Sequence, residues 1–301
     1  MQKVQAFLIG GAVIACVAIG VVWRWRSLPS VPAVADSRLS VVATFYPLAE
    51  FAKQVGGEDI QLEQMVPDGV EPHEYEPTSK QIASASSADV FIMNGGGVDA
   101  WADDVAASVR EHGGLVLKMT EVIETNLNDP HIWLDPSKAK AMVGELEGPF
   151  ISRDGDHRDA YALRSKDYLT KLDMLDVSYS SGLAKCSLRE IIVSHDAFGY
   201  LGARYTFIVH AILGLSPEAE PSVKAIADLT ELAKRSHITT IFFETLVSPK
   251  LAQTLAGEVG ARAEVLNPVE GLTAEERTAG KDYLDLMNDN LLALKTAMLC
   301  Q

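Results

Sequence analysis

Apolar residues along this chain fall into two alternating patterns. Short aliphatic or β-branched runs at 39–45, 60–66, 90–93, 115–117, 191–193, 206–209, 239–243 and 263–266 are continuous, as in strands buried on both faces. Between them, apolar positions recur at helical spacing; in PSVKAIADLTELAKRSH, Val223, Ile226, Leu229 and Ala233 share one face. Repeated alternation of strand and helix predicts an α/β fold of mostly parallel sheets flanked by helices. The alternation lapses once, at 151–185, where Tyr161, Tyr168, Leu172, Leu175 and Tyr179 succeed one another at helical spacing with no strand-like run. A single long linking helix there divides an N-terminal lobe, 39–150, from a C-terminal lobe, 186–301.

The first residues follow neither pattern. Residues 4–23, VQAFLIGGAVIACVAIGVVW, carry no charge, and twenty helical residues span about 30 Å of hydrocarbon. Residues 1–26 therefore read as a membrane anchor or signal segment, and 27–38, small and proline-bearing, as a tether. An uncleaved anchor fits better than a cleaved signal peptide, because the small residues Ala33, Val34 and Ala35 lie far beyond the apolar run. Lipidation at Cys16 fits less well, since the run continues past it. The flanking charges leave orientation open, with Lys3 before the run and Arg24 and Arg26 after it.

A formal net charge of −15 opposes a polyanionic partner, which sets nucleic acid aside. Cys186 and Cys300 are the two cysteines outside the apolar run. Their spacing fits a disulfide in an exported domain as well as two buried thiols; joined, they would tie the last helix to the middle of the chain.

Candidate chemistry sits where strands end. His73 in GVEPHEYEPT, His131 in NDPHIWLD and His195 in IIVSHDAFGYL lie in polar loops or just after a strand, and Glu244 in TTIFFETLVSPK directly follows an apolar run. In open α/β sheets, ligands collect at the carboxyl ends of strands. A carboxylate buried there requires a partner or a cation. Three imidazoles and a carboxylate suit a borderline-soft divalent ion in a tetrahedral site. Taken singly, each residue also reads as a hydrogen-bonded loop residue, or, for Glu244, as an acid at a helix N-terminus.

The ordered stretches VVATFYPLAEFAKQVGG, MVPDGVEPHEYEPTSKQI, ADVFIMNGGGVDAW, DPHIWLDP, IIVSHDAFGYLGARY, GLSPEAEPS, IFFETLVSPK and VLNPVEGLT resemble the landmarks of zinc and manganese solute-binding proteins of bacterial ABC transporters. The resemblance runs from about residue 39 to the C-terminus. It implies two α/β lobes joined by one long rigid helix, with a metal in the cleft between them. Carried over by motif, the metal ligands are His73 and His131 from the first lobe and His195 and Glu244 from the second. Zn²⁺ is the expected cargo, because a third nitrogen at His195 makes the site softer than the oxygen-rich sites suited to Mn²⁺. The segment 118–129, KMTEVIETNLND, is short and holds no histidine, unlike the His-rich insertion of many zinc-specific relatives. That difference keeps manganese or iron as the alternative.

The resemblance also implies an ABC permease and its ATPase as partners, an extracytoplasmic location anchored by or exported through residues 4–23, and a monomer. Enzymatic activity is not expected. A zinc hydrolase would need an open coordination position and a base such as Glu74 or Glu76, whereas a fourth ligand at Glu244 closes the site. A surface adhesin or sensor is the other alternative. Asp135 and Asp196, near two of the histidines, fit either as acceptors for a ligand's ring N–H or as helix caps, with capping preferred. Trp133 and Phe198 are expected to pack around the site, and His112, His157, His210 and His237 to lie apart from it.

Overall fold

The computed structural model of the protein describes residues 38–125, 129–217 and 221–301. The apolar segment 4–23 and its tether lie outside the described residues. Among the described residues no helix is long and apolar enough to cross a membrane.

The first lobe is built from β1 (Leu39–Ala43), α1 (Tyr46–Gly56), β2 (Ile60–Gln64), α2 (Ser79–Ala85), β3 (Val90–Met93), α3 (Ala102–Glu111), β4 (Leu115–Lys118) and the single turn α4 (Met119–Val122). Two helices follow, α5 (Pro136–Arg153) and α6 (Arg158–Gly182). The second lobe contains β5 (Glu190–Val193), α7 (Gly199–Tyr205), β6 (Ile208–Ala211), α8 (Val223–Arg235), β7 (Thr240–Phe243), α9 (Lys250–Val259), β8 (Arg262–Val265), α10 (Ala274–Thr278) and α11 (Tyr283–Ala297). Each lobe has one four-stranded sheet, ordered β2-β1-β3-β4 and β6-β5-β7-β8, and every pairing is parallel. The two sheets thus repeat one topology. All eight strands overlap the apolar runs, most closely at the central strands β1, β3, β5 and β7, which lie between two neighbours and are mostly buried, while the edge strands β2, β6 and β8 carry exposed positions.

The long helix α6 has 25 residues, about 37 Å at 1.5 Å per residue. Its buried positions Tyr161, Ser165, Tyr168, Leu172, Leu175 and Tyr179 alternate steps of four and three, the spacing of a packed helical seam. The helical stretch begins later than the pattern suggests. Residues 151–153 finish α5, and a break follows in which Asp154 Oδ2 accepts from Tyr161 Oη at 2.7 Å and approaches His157 Nδ1 at 2.7 Å. Arg164 on α6 donates to the carbonyls of Val55 and Gly56 and to Asp59, docking the helix on the end of α1.

In α8, Leu229 and Ala233 are buried as the pattern indicates, but Val223 is 87% exposed. It is the first residue after the N-cap Ser222, whose side chain accepts from Ala225 N, so it projects from the helix end and not toward the sheet.

One apolar core runs through both lobes by way of α1, α5, α6 and α11. Hydrogen bonds cross the seam within it: Trp133 Nε1 donates to Pro268 O at 2.7 Å, and Tyr283 Oη donates to Trp133 O at 2.6 Å. Cys186 and Cys300 are joined in a disulfide across 114 residues, fastening the chain after α6 to the end of α11. A loop of that length limits the unfolded chain enough to contribute about 5 kcal/mol in the chain-entropy account. Replacing both cysteines with serine is expected to lower the unfolding free energy by several kcal/mol in urea titrations; a change under about 1 kcal/mol would remove the bridge as a main support of the second lobe.

Candidate metal centre

Each side chain of the site is delivered by a short, locally fixed segment after a strand. His73 lies in a single 3₁₀ turn, Pro72–Glu74, that follows β2. The turn is capped by Glu71, whose carboxylate accepts from the backbone N–H of His73 and of Glu74, each at 3.1 Å. His131 precedes the 3₁₀ turn Ile132–Leu134, and Asp129 Oδ1 accepts its backbone N–H at 2.8 Å.

The segment before His131 rests on a glycine turn. Gly95, Gly96 and Gly97 have φ of 80°, 69° and 103°, and a Cβ on Gly96 would lie 2.9 Å from Pro130 Cβ, so glycine is required for the close approach. Buried Asp99 accepts from Asn94 N, Gly95 N and Thr44 Oγ1, and Asn94 Nδ2 in turn donates to Pro130 O at 2.9 Å. This chain of bonds carries the position of β1 and β3 to His131.

His195 follows β5, and Glu270 lies in the loop after β8. The Nε2 atoms of the three histidines meet one carboxylate oxygen. His131 Nε2 is 3.3 Å from His73 Nε2 and 3.2 Å from His195 Nε2. Glu270 Oε1 is 3.6 Å from His73 Nε2, 3.4 Å from His131 Nε2 and 3.6 Å from His195 Nε2. Four atoms about 2.0–2.1 Å from a central Zn²⁺ at tetrahedral angles are separated by about 3.3–3.4 Å. Glu270 Oε1 is buried with no hydrogen-bond partner of good geometry, an arrangement that a cation among the three nitrogens satisfies. His73, His131, His195 and Glu270 are the one group among the described residues that could hold a metal ion.

The structure therefore brings together three of the four residues singled out from sequence and leaves Glu244 outside the group. Glu244 lies on the far side of His195, with Oε2 2.7 Å from Nδ1 though off the line of a good hydrogen bond. The reason is positional: directly after β7, the central neighbour of β5, its side chain meets the back of the His195 ring, whereas the longer loop after β8 reaches over to the front. Asp129 Oδ1 stands likewise 2.6 Å from His131 Nδ1. These carboxylates favour the tautomer that leaves Nε2 free for a metal. Asp135 and Asp196 do not take that role. Asp135 caps α5 through Ser137 N at 2.8 Å, and Asp196 precedes α7 without capping it, the N-cap being Phe198.

Electrostatics follow from burial among opposed charges. Burial acts most strongly on Glu270 and would raise its carboxyl, but the three imidazoles outweigh it and hold the group well below the usual carboxylate range. For His195, burial is again the largest effect and disfavours the proton, yet Glu244 and Glu270 together push the imidazole up to about 10. His131 is raised in the same way, against burial, by Asp129 and Glu270. Glu71 is raised by burial and by the nearby charge of Glu270. Trp133 is fully buried against the His131 ring at 5.2 Å between centroids, and Phe198 is buried as well. Glu74 and Glu76, the bases a hydrolytic site would need, are exposed.

Residues 41–297 match the profile of the family described as zinc-uptake complex component A, periplasmic. The high-affinity zinc uptake system protein of Bacillus subtilis is 36% identical over 287 residues, covering 88% of this chain and 90% of that protein. The zinc-binding lipoprotein AdcA of Streptococcus pneumoniae is 35% identical over 280 residues, which is 87% of this chain and 56% of the longer lipoprotein. The Zn(II)-bound crystal structure of its ZnuA-like domain superposes with a TM-score of 0.78 at 36% identity, covering 87% of this chain and 99% of that one. The laminin-binding protein of Streptococcus agalactiae, described as a bifunctional adhesin and metal transporter, gives 0.78 at 28% identity with coverages of 87% and 99%. With its two parallel-sheet lobes, its long joining helix and a family match over residues 41–297, the chain belongs to the ZnuA family of zinc-uptake solute-binding components.

Proposed function

We propose that this chain is the extracytoplasmic zinc-capturing component of an ABC transporter, that His73, His131, His195 and Glu270 bind the ion, and that residues 4–23 tether it to the membrane beside its permease. The observation that carries the reading is the set of near-equal separations among three imidazole nitrogens and one otherwise unpartnered carboxylate oxygen. Three nitrogens and a single oxygen suit Zn²⁺ better than Mn²⁺, which takes harder and more numerous oxygen ligands. His73 is the one member of the set that is not fully buried, so it stands at the mouth through which the ion reaches His131 and His195. Asp129 and Glu244 orient the two deeper rings. The uncharged run 4–23 supports the tether, which raises the concentration of loaded protein seen by a permease and its ATPase. The separation of the ligands between two lobes supports a single-chain, monomeric binder, since the site needs no second copy.

Alanine substitutions followed by zinc titration with a competing chelator test the ligand set. His131→Ala and Glu270→Ala are expected to weaken binding by more than 100-fold, whereas Glu244→Ala, which removes an orienting partner, is expected to weaken it by about 10–100-fold. The reverse order for Glu244 and Glu270 would reassign the fourth ligand.

A pH test follows from the raised histidines. A ligand nitrogen must be free of its proton, and both His131 and His195 hold protons above the ordinary imidazole range in the metal-free chain. Zinc binding at neutral pH is therefore expected to release about one proton, from His195, and apparent affinity to fall about tenfold per released proton for each unit of acidification. Calorimetry in buffers of different ionisation enthalpy measures this directly; zero proton release at pH 7 would contradict the electrostatic account.

A further inference from the structure

The loop carrying Glu270 contains a conformation that the rest of the chain has to enforce. Val269 has φ of 58°, the left-handed region that β-branched residues rarely adopt, and its side chain is fully buried beside the metal site. Such a conformation persists where surrounding bonds over-determine it. They are all present here. Asn267 Oδ1 accepts from Val269 N at 2.8 Å, closing a tight turn around Pro268. Asn267 itself is gripped on both backbone groups by one side chain of α11: its N–H donates to Asn290 Oδ1 at 2.8 Å, and its carbonyl accepts from Asn290 Nδ2 at 2.6 Å. Asn267 Nδ2 donates to Glu276 Oε1 at 2.9 Å, and Pro268 O accepts from Trp133 Nε1. Asn267 and Asn290 are both buried, in a region where an amide has no reason to be unless its bonds are needed.

We propose that Asn290 and Asn267 are positioning residues that set the coordination number of the site, by locking Val269 in its left-handed conformation so that Glu270 offers a single oxygen at tetrahedral distance. This rests on the metal-site assignment made above. A carboxylate on a free loop can swing to offer both oxygens or withdraw and admit water, which raises coordination number and favours larger, harder ions. Glu270 Oε1 stands 3.4–3.6 Å from the three nitrogens, the spacing that suits a small four-coordinate ion. When the amide grip is lost, Val269 relaxes toward negative φ, and the turn of the next peptide carries Glu270 off the ring of nitrogens.

The test uses the full chain with Asn290→Ala and Asn267→Ala, each loaded with Co²⁺ as a spectroscopic stand-in for Zn²⁺. Wild-type protein is expected to give the intense visible bands of four-coordinate cobalt. Both variants should give the weaker bands of five- or six-coordinate cobalt, together with a zinc-over-manganese preference reduced by about 10–100-fold. Folded variants with wild-type spectra and unchanged preference would overturn the inference while leaving the ligand set intact. Wild-type protein that takes up neither Zn²⁺ nor Co²⁺ would overturn the ligand set and the inference together. Should the variants not fold, amide hydrogen exchange on metal-free wild-type protein decides: Val269 N–H protected like the core supports the lock, and exchange at the rate of an exposed loop refutes it.

Discussion

Buried negative charge is the constraint on which the structure turns. Asp129, Glu244 and Glu270 are all at least nine-tenths buried, and each faces an imidazole of the same small cluster. With neutral rings the cluster would hold three uncompensated carboxylates in a low-dielectric interior, which is strongly unfavourable. Protonation of the imidazoles reduces that charge, and so does one Zn²⁺. The metal and the protons are thus alternative counter-charges for one framework, which explains why these histidines are raised and Glu270 is lowered without invoking any special feature of the individual residues.

Holding like charges together requires a frame that cannot spread. Neither lobe carries the whole site: His73 and His131 come from the first, His195 and Glu270 from the second. The seam is closed by the helix α6, by Trp133 and Tyr283 bonding across it, and by the Cys186–Cys300 bridge that pins α11, the helix supplying Asn290 and Tyr283. A shift along the seam would change the separations between the first-lobe nitrogens and the second-lobe ligand atoms while leaving His195 and Glu270 in place relative to each other. Small displacements therefore suffice to pass from a tight site to an open one, and a stiff connection serves that better than a wide hinge.

Much of this is legible in the sequence, for identifiable reasons. The central strands read clearly because burial on both faces makes each a continuous apolar run, and the edge strands are still marked by shorter apolar stretches. The seam of α6 reads clearly because large residues recur at steps of three and four. His73, His131 and His195 stand out as imidazoles where strands end. Glu244 stands out because a carboxylate immediately after an apolar strand is conspicuous, whereas Glu270, which the structure groups with the three histidines, is four residues beyond the 263–266 run, behind an Asn-Pro turn. A signal was there: Asn267-Pro268 marks a tight turn that must aim whatever follows it. Asp129 does not stand out in the sequence, because nearness to His131 does not say which carboxylate faces the ring edge. The break before α6 was invisible because its stabilising partner, Asp154, acts through side-chain bonds that periodicity does not report.

The division of labour between lobes also bears on how cargo can leave. Each lobe orients its deeper imidazole by itself, His131 through Asp129 and His195 through Glu244, so separating the lobes leaves both rings aimed as before. Glu270 differs. Its loop is held by α11 from one lobe and by Trp133 from the other, so its position depends on both lobes at once. Any displacement of the seam reaches Pro268 directly and strains a turn that already contains a left-handed valine. Glu270 supplies the one negative charge in the inner set, so a shift of this loop bears directly on the charge that faces the three nitrogens. Three neutral nitrogens on two parting surfaces hold a divalent ion far less tightly than a closed tetrahedron does, and the same two surfaces are still preformed when the lobes return.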